Sequence, residues 1–395
     1  MAAFLGAFIV FLTLGARSGF GLWLTPVTGS LGIGRETFGL AIALQDLVLG
    51  LPFVAMLADR IEPRRVIMAA GTLFGIGLIA AAALASPIGL FVAFAPLIGV
   101  ALSGVSFVVV LGAVGRVIPE DRRGVVFGMI TAAASLGIFV VVPISGALLE
   151  TFGWRTAFVL LGIGMVLVIG AGALLPKGSA ADPQARAPAA MLATIDRARR
   201  NPNYLLLVAG FFVCGFHVSF IRTHLSPFLE DGGLATSIGA AALALIGLFN
   251  IFGSLTFGTL GDRFRKRTLL SILYFGRAVV ISLFLIFPLT SATALVFAGS
   301  IGFLWLATVP LTSGIVAQLF GPRYLGTLFG FVFLSHQIGA FLGAWLGGRV
   351  FDRYGDYQIV WITAIVLGVV AGLLHMPIKE HPDPVSVAEP APQHA

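Results

Sequence analysis

The stretch GVVFGMITAAASLG, residues 124–137, comes back 202 residues later as GTLFGFVFLSHQIG, residues 326–339. Gly124, Phe127, Gly128 and Gly137 return as Gly326, Phe329, Gly330 and Gly339. Further on, Phe152 and Gly153 match Tyr354 and Gly355 at the same offset. Leu57, Asp59 and Arg60 match Leu260, Asp262 and Arg263 at 203, so one insertion separates the two registers. Self-similarity at half the chain length means two copies of one structural unit.

Composition says what that unit is made of. Of 395 residues, 58% are hydrophobic and 10% charged, against about 25% charged in an ordinary soluble domain. Mean hydropathy is +1.03. No soluble core hides that much apolar surface, whereas lipid-facing helices require it. Cys214 is the one cysteine, which excludes an internal disulfide framework and a cysteine-based metal site. The net charge of +7 lies in short bursts between apolar runs. Its expected partner is therefore the anionic lipid surface, not nucleic acid.

Crossing about 30 Å of hydrocarbon takes about 20 helical residues. Twelve apolar segments of suitable length are present, at 3–27, 37–57, 66–85, 88–117, 125–149, 156–175, 204–228, 237–260, 268–288, 293–320, 325–348 and 359–376. The first is apolar from Ala2 with no basic lead and runs past Leu24, too long for a signal peptide, so it reads as an uncleaved helix. With both termini in the cytoplasm, seventeen of the 24 Lys and Arg residues fall inside and four outside, and Arg17, Arg222 and Arg277 fall within the membrane. That bias sets the expected orientation. The predicted organisation is an N-terminal six-helix bundle at 1–175, a polar cytoplasmic linker at 176–203 with room for a surface helix, a C-terminal bundle at 204–376 and a disordered cytoplasmic tail at 377–395. Parallel repeats with a substrate site between them near the midplane are a transporter plan.

The loops after the second and eighth spans read Leu57-Ala58-Asp59-Arg60 then Arg64-Arg65, and Leu260-Gly261-Asp262-Arg263 then Arg265-Lys266-Arg267. They resemble the cytoplasmic-loop signature of the major facilitator superfamily, although Ala55, Glu62 and Arg265 stand where glycines are customary. An Asp at a helix end can pair with Arg across such a loop and hold neighbouring helices in one state. Gly15-Ala16-Arg17-Ser18, Gly215-Phe216-His217 through His224-Leu225, Leu245 to Asn250 and Gly276-Arg277-Ala278 are similar to bacterial members of the monocarboxylate-porter-like branch. That resemblance implies carriage of small organic anions with a proton or by exchange. Animal monocarboxylate carriers place an Asp and an Arg where this chain has Asn250 and Ser254, so their substrate chemistry does not transfer directly.

Ionisable groups in the hydrocarbon region cost about 2.5–3.5 kcal/mol each on insertion scales and need a partner or a wet cavity. Arg17 lies near mid-depth of the first span, one of the four (first, fourth, seventh and tenth) that line the cavity in this superfamily. Its planar fork matches a carboxylate. It is either an anion anchor or the structural partner of Asp46, at similar depth on the second span, and both roles are compatible. His217 and His224 lie two turns apart on one face of the seventh span, about 10 Å along its axis, too far apart to share a metal. Arg222 is expected to snorkel or gate near the outer end, and Arg277 to be structural. Trp305, Thr308 and Thr312 form one stripe beside Pro310. His336, Gln337, Asn250 and Ser254 either complete a site or join helices by hydrogen bonds.

The expected protein is all-α and integral to the membrane, with twelve transmembrane helices in two pseudo-symmetric six-helix bundles. It is a monomer working by alternating access in a bacterial inner membrane. Arg17 would anchor a small organic anion, His217 and His224 would face it across the cavity, and Trp305, Asn250 and His336 would complete the binding site. Asp46 would couple transport to a proton, unless a counter-anion does so. Asp59, Arg60, Asp262 and Arg263 form the loop motif. No phosphate-binding loop, metalloprotease helix or nucleophile elbow occurs, so an enzyme, a cofactor and a metal are not expected. Efflux of drugs or amphipathic metabolites, and a membrane receptor that moves no solute, are the competing functional classes.

Overall fold

The computed structural model describes residues 1–51, 61–115, 117–118, 120–176, 188–321 and 325–380. Among these, ten helices are long and apolar enough to cross a membrane. We name the spans α1 (Ala2–Leu31), α3 (Pro63–Leu84), α4 (Pro87–Gly115), α5 and α6 (the two parts of Val125–Leu174), α7 (Pro202–Asp231), α8 (Thr236–Arg263), α9 (Lys266–Ile286), α10 (Ser291–Phe320), α11 (Leu325–Tyr354) and α12 (Gln358–His375). α5 and α6 meet at Gly153, whose φ of 72° and ψ of 166° are not helical. α2 is Arg35–Leu49, and positions 52–57 of the predicted second span lie outside the described residues. With those two distinctions the helices match the twelve predicted spans.

A helix satisfies every backbone group within itself, which is why apolar runs in lipid adopt it. Local chemistry fixes the ends. Proline stands in the first turn of α3, α4 and α7, where its missing N–H is not needed. The Asn201 side chain caps α7 by accepting from the N–H groups of Asn203 and Tyr204. Thr290 and Thr293 form a reciprocal capping box at α10. The linker contains a helix, Pro188–Arg200, with Arg199 and Arg200 exposed. The predicted disordered tail starts with held residues, since Ile378 is buried and its carbonyl accepts from Arg267 at 2.8 Å. Residues 381–395, and Asp59 and Arg60 of the loop motif, lie outside the described residues. Asp262 and Arg263 are exposed at the end of α8.

The sequence repeat is visible as geometry. α5 crosses α1 where Gly137 lies against the carbonyl of Phe11, and α11 crosses α7 where its repeat partner Gly339 lies against the carbonyl of Phe212. A β-carbon at either position would overlap that oxygen. Each half therefore packs its first and fifth helices backbone to backbone, as small residues permit in membranes. The halves meet along α2 with α11 and α5 with α8, where Gly39 faces the carbonyl of Ala344 and Gly247 faces that of Ser135. α4 and α10 are each interrupted, α4 at Val105 and Ser106 and α10 over residues 304–307.

One end of the bundle, carrying the α1–α2, α7–α8 and α11–α12 connections, is clasped shut between the halves. Arg35 of α2 makes a bidentate pair with Asp231 of α7, at 2.6 and 2.7 Å. It also donates to the Tyr357 hydroxyl at 2.8 Å and lies 3.7 Å from the ring centre of Phe351. The Asp352 carboxylate accepts from the backbone N–H groups of Arg35 and Glu36 at 2.9 and 2.8 Å, so it caps the start of α2 and favours its positive dipole end.

Candidate functional site

Asp46 of α2 is fully buried, and three side chains converge on its carboxylate. Arg17 of α1 donates to Oδ1 at 2.6 Å. From the other half, Arg222 and Ser219 of α7 both donate to Oδ2 at 2.6 Å. Arg222 also donates to the Ser219 hydroxyl at 3.1 Å. Gln337 of α11 donates to the backbone carbonyl of Asp46 at 2.7 Å. The cluster therefore joins the two halves through one acidic residue.

Local sequence brings these groups together. Directly after Arg17 and Ser18, α1 tightens into a 3₁₀ stretch, Gly19–Trp23, a departure that often marks a hinge. Gly21 in that stretch lies against the carbonyls of Arg222 and Thr223, where any side chain would overlap them. α1 and α7 thus touch one turn from Arg17, and their guanidiniums reach the same acid.

Two guanidiniums and one carboxylate leave a surplus positive charge. Removing charges from water is unfavourable unless they are paired and hydrogen-bonded. Here the pairing is incomplete: the buried Arg17 Nε lacks a partner among the described residues, and the Arg17 side chain keeps 14% of its surface accessible. Planar guanidinium forks offer paired N–H donors to a carboxylate. Such a cluster is chemically suited to receive a further small anion.

The other predicted residues are distributed differently. His217 donates through Nε2 to the carbonyl of Ala364 on α12 at 2.8 Å. His224 donates through Nε2 to the carbonyl of Ala344 on α11 at 2.7 Å and accepts at Nδ1 from the Tyr357 hydroxyl at 3.3 Å. Each carbonyl can only accept, which fixes both imidazoles with Nε2–H. They share one face of α7, as their spacing predicts, but that face packs on α11 and α12 and not on Arg17. His336 bonds Gln337 through Nδ1 at 2.8 Å and stacks on Phe333. Trp305 sits in the α10 interruption, and Asn250 bonds Ser135 and Leu306 beside it. Arg277 is buried, and its guanidinium donates to the carbonyls of Leu304 and Trp305, a structural placement.

Arg222 departs from its expected position near an outer end. α7 continues to Asp231, three residues past the predicted boundary, which lowers Arg222 by about 4.5 Å into the bundle. At that depth its nearest opposite charge is Asp46, not water. Ser219 and Gln337 were not assigned to this cluster from sequence. The signal for Ser219 was the repeat itself, because it lies 202 residues after Arg17.

Comparison with known proteins agrees with this architecture. The profile of the Major Facilitator Superfamily matches residues 6–344 and, overlapping, 251–394. The chain is 26% identical to the uncharacterized MFS-type transporter YcxA of Bacillus subtilis (strain 168) over 378 residues, covering 91% of this chain and 90% of that one. It is 25% identical to monocarboxylate transporter 13 of Rattus norvegicus, covering 82% and 75%, and 22% identical to the oxalate:formate antiporter of Oxalobacter formigenes, covering 96% and 92%. Among solved structures, a bacterial homologue of the human lysosomal transporter Spinster, in an inward-facing and unoccupied conformation, superposes with a TM-score of 0.76 at 17% identity, covering 95% of each chain. The fold and the sequence together define a multi-pass membrane transporter. The chain belongs to the Major Facilitator Superfamily, and it is not an enzyme.

Proposed function

We propose that the protein carries small organic anions by alternating access, with Arg17 and Arg222 as the two sides of the anion site. The observation that carries this reading is the surplus positive charge held between the halves at Asp46. A substrate carboxylate would compete with Asp46 for the guanidiniums. When Asp46 takes up a proton, it gives up its claim on both arginines, which makes it the proton-coupling group; when it stays charged, a monoanion neutralises the cluster and exchange is the natural mode. The names of two relatives, a monocarboxylate transporter and an oxalate:formate antiporter, are in keeping with this class.

The positive-inside bias makes the clasped end the outer face, with both termini cytoplasmic. This corresponds to an inward-facing carrier in a bacterial inner membrane. We assign 1–175 and 204–376 as the two moving halves of a monomer, 176–203 as the linker between them and 377–395 as the tail. The test is uptake of labelled lactate, pyruvate or oxalate into proteoliposomes. The wild type should transport at least one of them and Arg17→Ala should not; uptake unchanged in Arg17→Ala removes the anchor role.

A further inference from the structure

The interruption of α10 over residues 304–307 is held from two sides. Arg277 of α9 donates to the Leu304 carbonyl at 3.1 and 2.7 Å and also to the Trp305 carbonyl. From α8, the buried Asn250 accepts the backbone N–H of Leu306 at 2.9 Å. That N–H can only donate, so the amide oxygen of Asn250 must face it and the amide nitrogen must point away. The nitrogen donates to the Ser135 hydroxyl of α5, in the other half, at 2.8 Å. One side chain thus connects the junction of the halves to the break in a pathway helix.

The connection has little slack. On either side of Asn250, α8 and α10 touch backbone to backbone, with Gly302 against Ile246 and Gly253 against the Phe303 carbonyl. On an adjacent face of α8, about a quarter-turn round, Gly247 lies against the carbonyl of Ser135. Close-packed elements transmit small displacements instead of absorbing them. An amide is suited to this place because it accepts and donates at once.

We propose that Asn250 is a positioning residue for transport, whose amide carries movement at the α5–α8 junction into the bend of α10 and so sets where Trp305 stands. The proposal rests on the transport reading above but not on which anion is carried. It assigns Asn250 a role in moving the halves, not in holding substrate.

The experiment compares Ser135→Ala, Asn250→Leu and the double variant in proteoliposomes, using labelled lactate, pyruvate and oxalate as probes. Turnover should fall about tenfold in each, with KM within about twofold, and the double variant should be no slower than the slower single, as expected for one coupled pair. Effects that add, or a raised KM at unchanged turnover, overturn the proposal. Ser135→Ala removes only a hydroxyl and carries the test alone if Asn250→Leu does not fold. If the wild type moves none of the probes, it is the anion reading that has failed. The variants are then compared by dipolar distances between spin labels at the exposed positions 30 and 353, on opposite halves of the clasped end. A broadened distribution in both variants supports the tie, and a distribution like that of the wild type overturns it.

Discussion

Arg17 and Ser219 occupy equivalent positions in the two repeats, 202 residues apart, and donate to opposite oxygens of the Asp46 carboxylate. The fold is duplicated and its two copies converge on one acid that only the first copy supplies. Breaking the symmetry at this point creates a charged junction between the halves.

Asp46 should be the residue whose loss is felt most. Asp46→Ala leaves two buried guanidiniums facing each other, and removing one partner of a buried pair destabilises by about 3–5 kcal/mol. Asp46→Asn keeps the shape and removes the competitor for the arginines. It should bind anions at least as tightly as wild type while losing the dependence of uptake on a proton gradient. Thermal unfolding in detergent and uptake with and without an imposed gradient measure the two effects separately; uptake by Asp46→Asn that still responds to the gradient assigns proton coupling elsewhere.

The clasp between Arg35 and Asp231 should bias the carrier toward the conformation described here. Arg35→Asp and Asp231→Arg are each expected to open that end, raising the labelling rate of a cysteine placed at Ala344, a buried position of α11 packed against Gly39 of α2. The charge-swapped double variant should bring labelling back toward wild type, because the pair is reversed and not removed. Equal labelling in all four proteins would mean that the clasp follows closure without contributing to it.

The glycine crossings predict a matched pair of defects. Gly137→Val and Gly339→Val put a side chain into the carbonyls of Phe11 and Phe212, so both should lose monodisperse material on size-exclusion chromatography. Gly128→Ala, in the same repeat but with open space around it, should behave as wild type. A normal profile for either valine variant would show that α1–α5 or α7–α11 separates more easily than the backbone contacts imply.

The spans and the repeat were readable because lipid imposes a length and a polarity on each helix, and because the glycines shared by the halves return at a constant offset. Pairing across the halves was less readable. Periodicity put His217 and His224 on one face of α7 but not which neighbours meet that face, and they proved to serve the carbonyls of Ala364 and Ala344. The depth of Arg222 depended on where α7 ends, and a boundary error of three residues was enough to move its charge from the surface to Asp46. Ser219 carries no charge to draw attention in an apolar span, yet its hydroxyl serves the Asp46 carboxylate as a guanidinium does.

Anion-induced stabilisation of the purified protein, compared between wild type, Arg17→Gln and Arg222→Gln, probes the charged junction most directly. A ligand that binds only the folded state at a hundredfold excess over its Kd stabilises it by about 2.7 kcal/mol. Small carboxylates should raise the unfolding temperature of the wild type and of neither variant. The same upward shift in all three proteins, or none in the wild type, would contradict an anion site shared by Arg17 and Arg222.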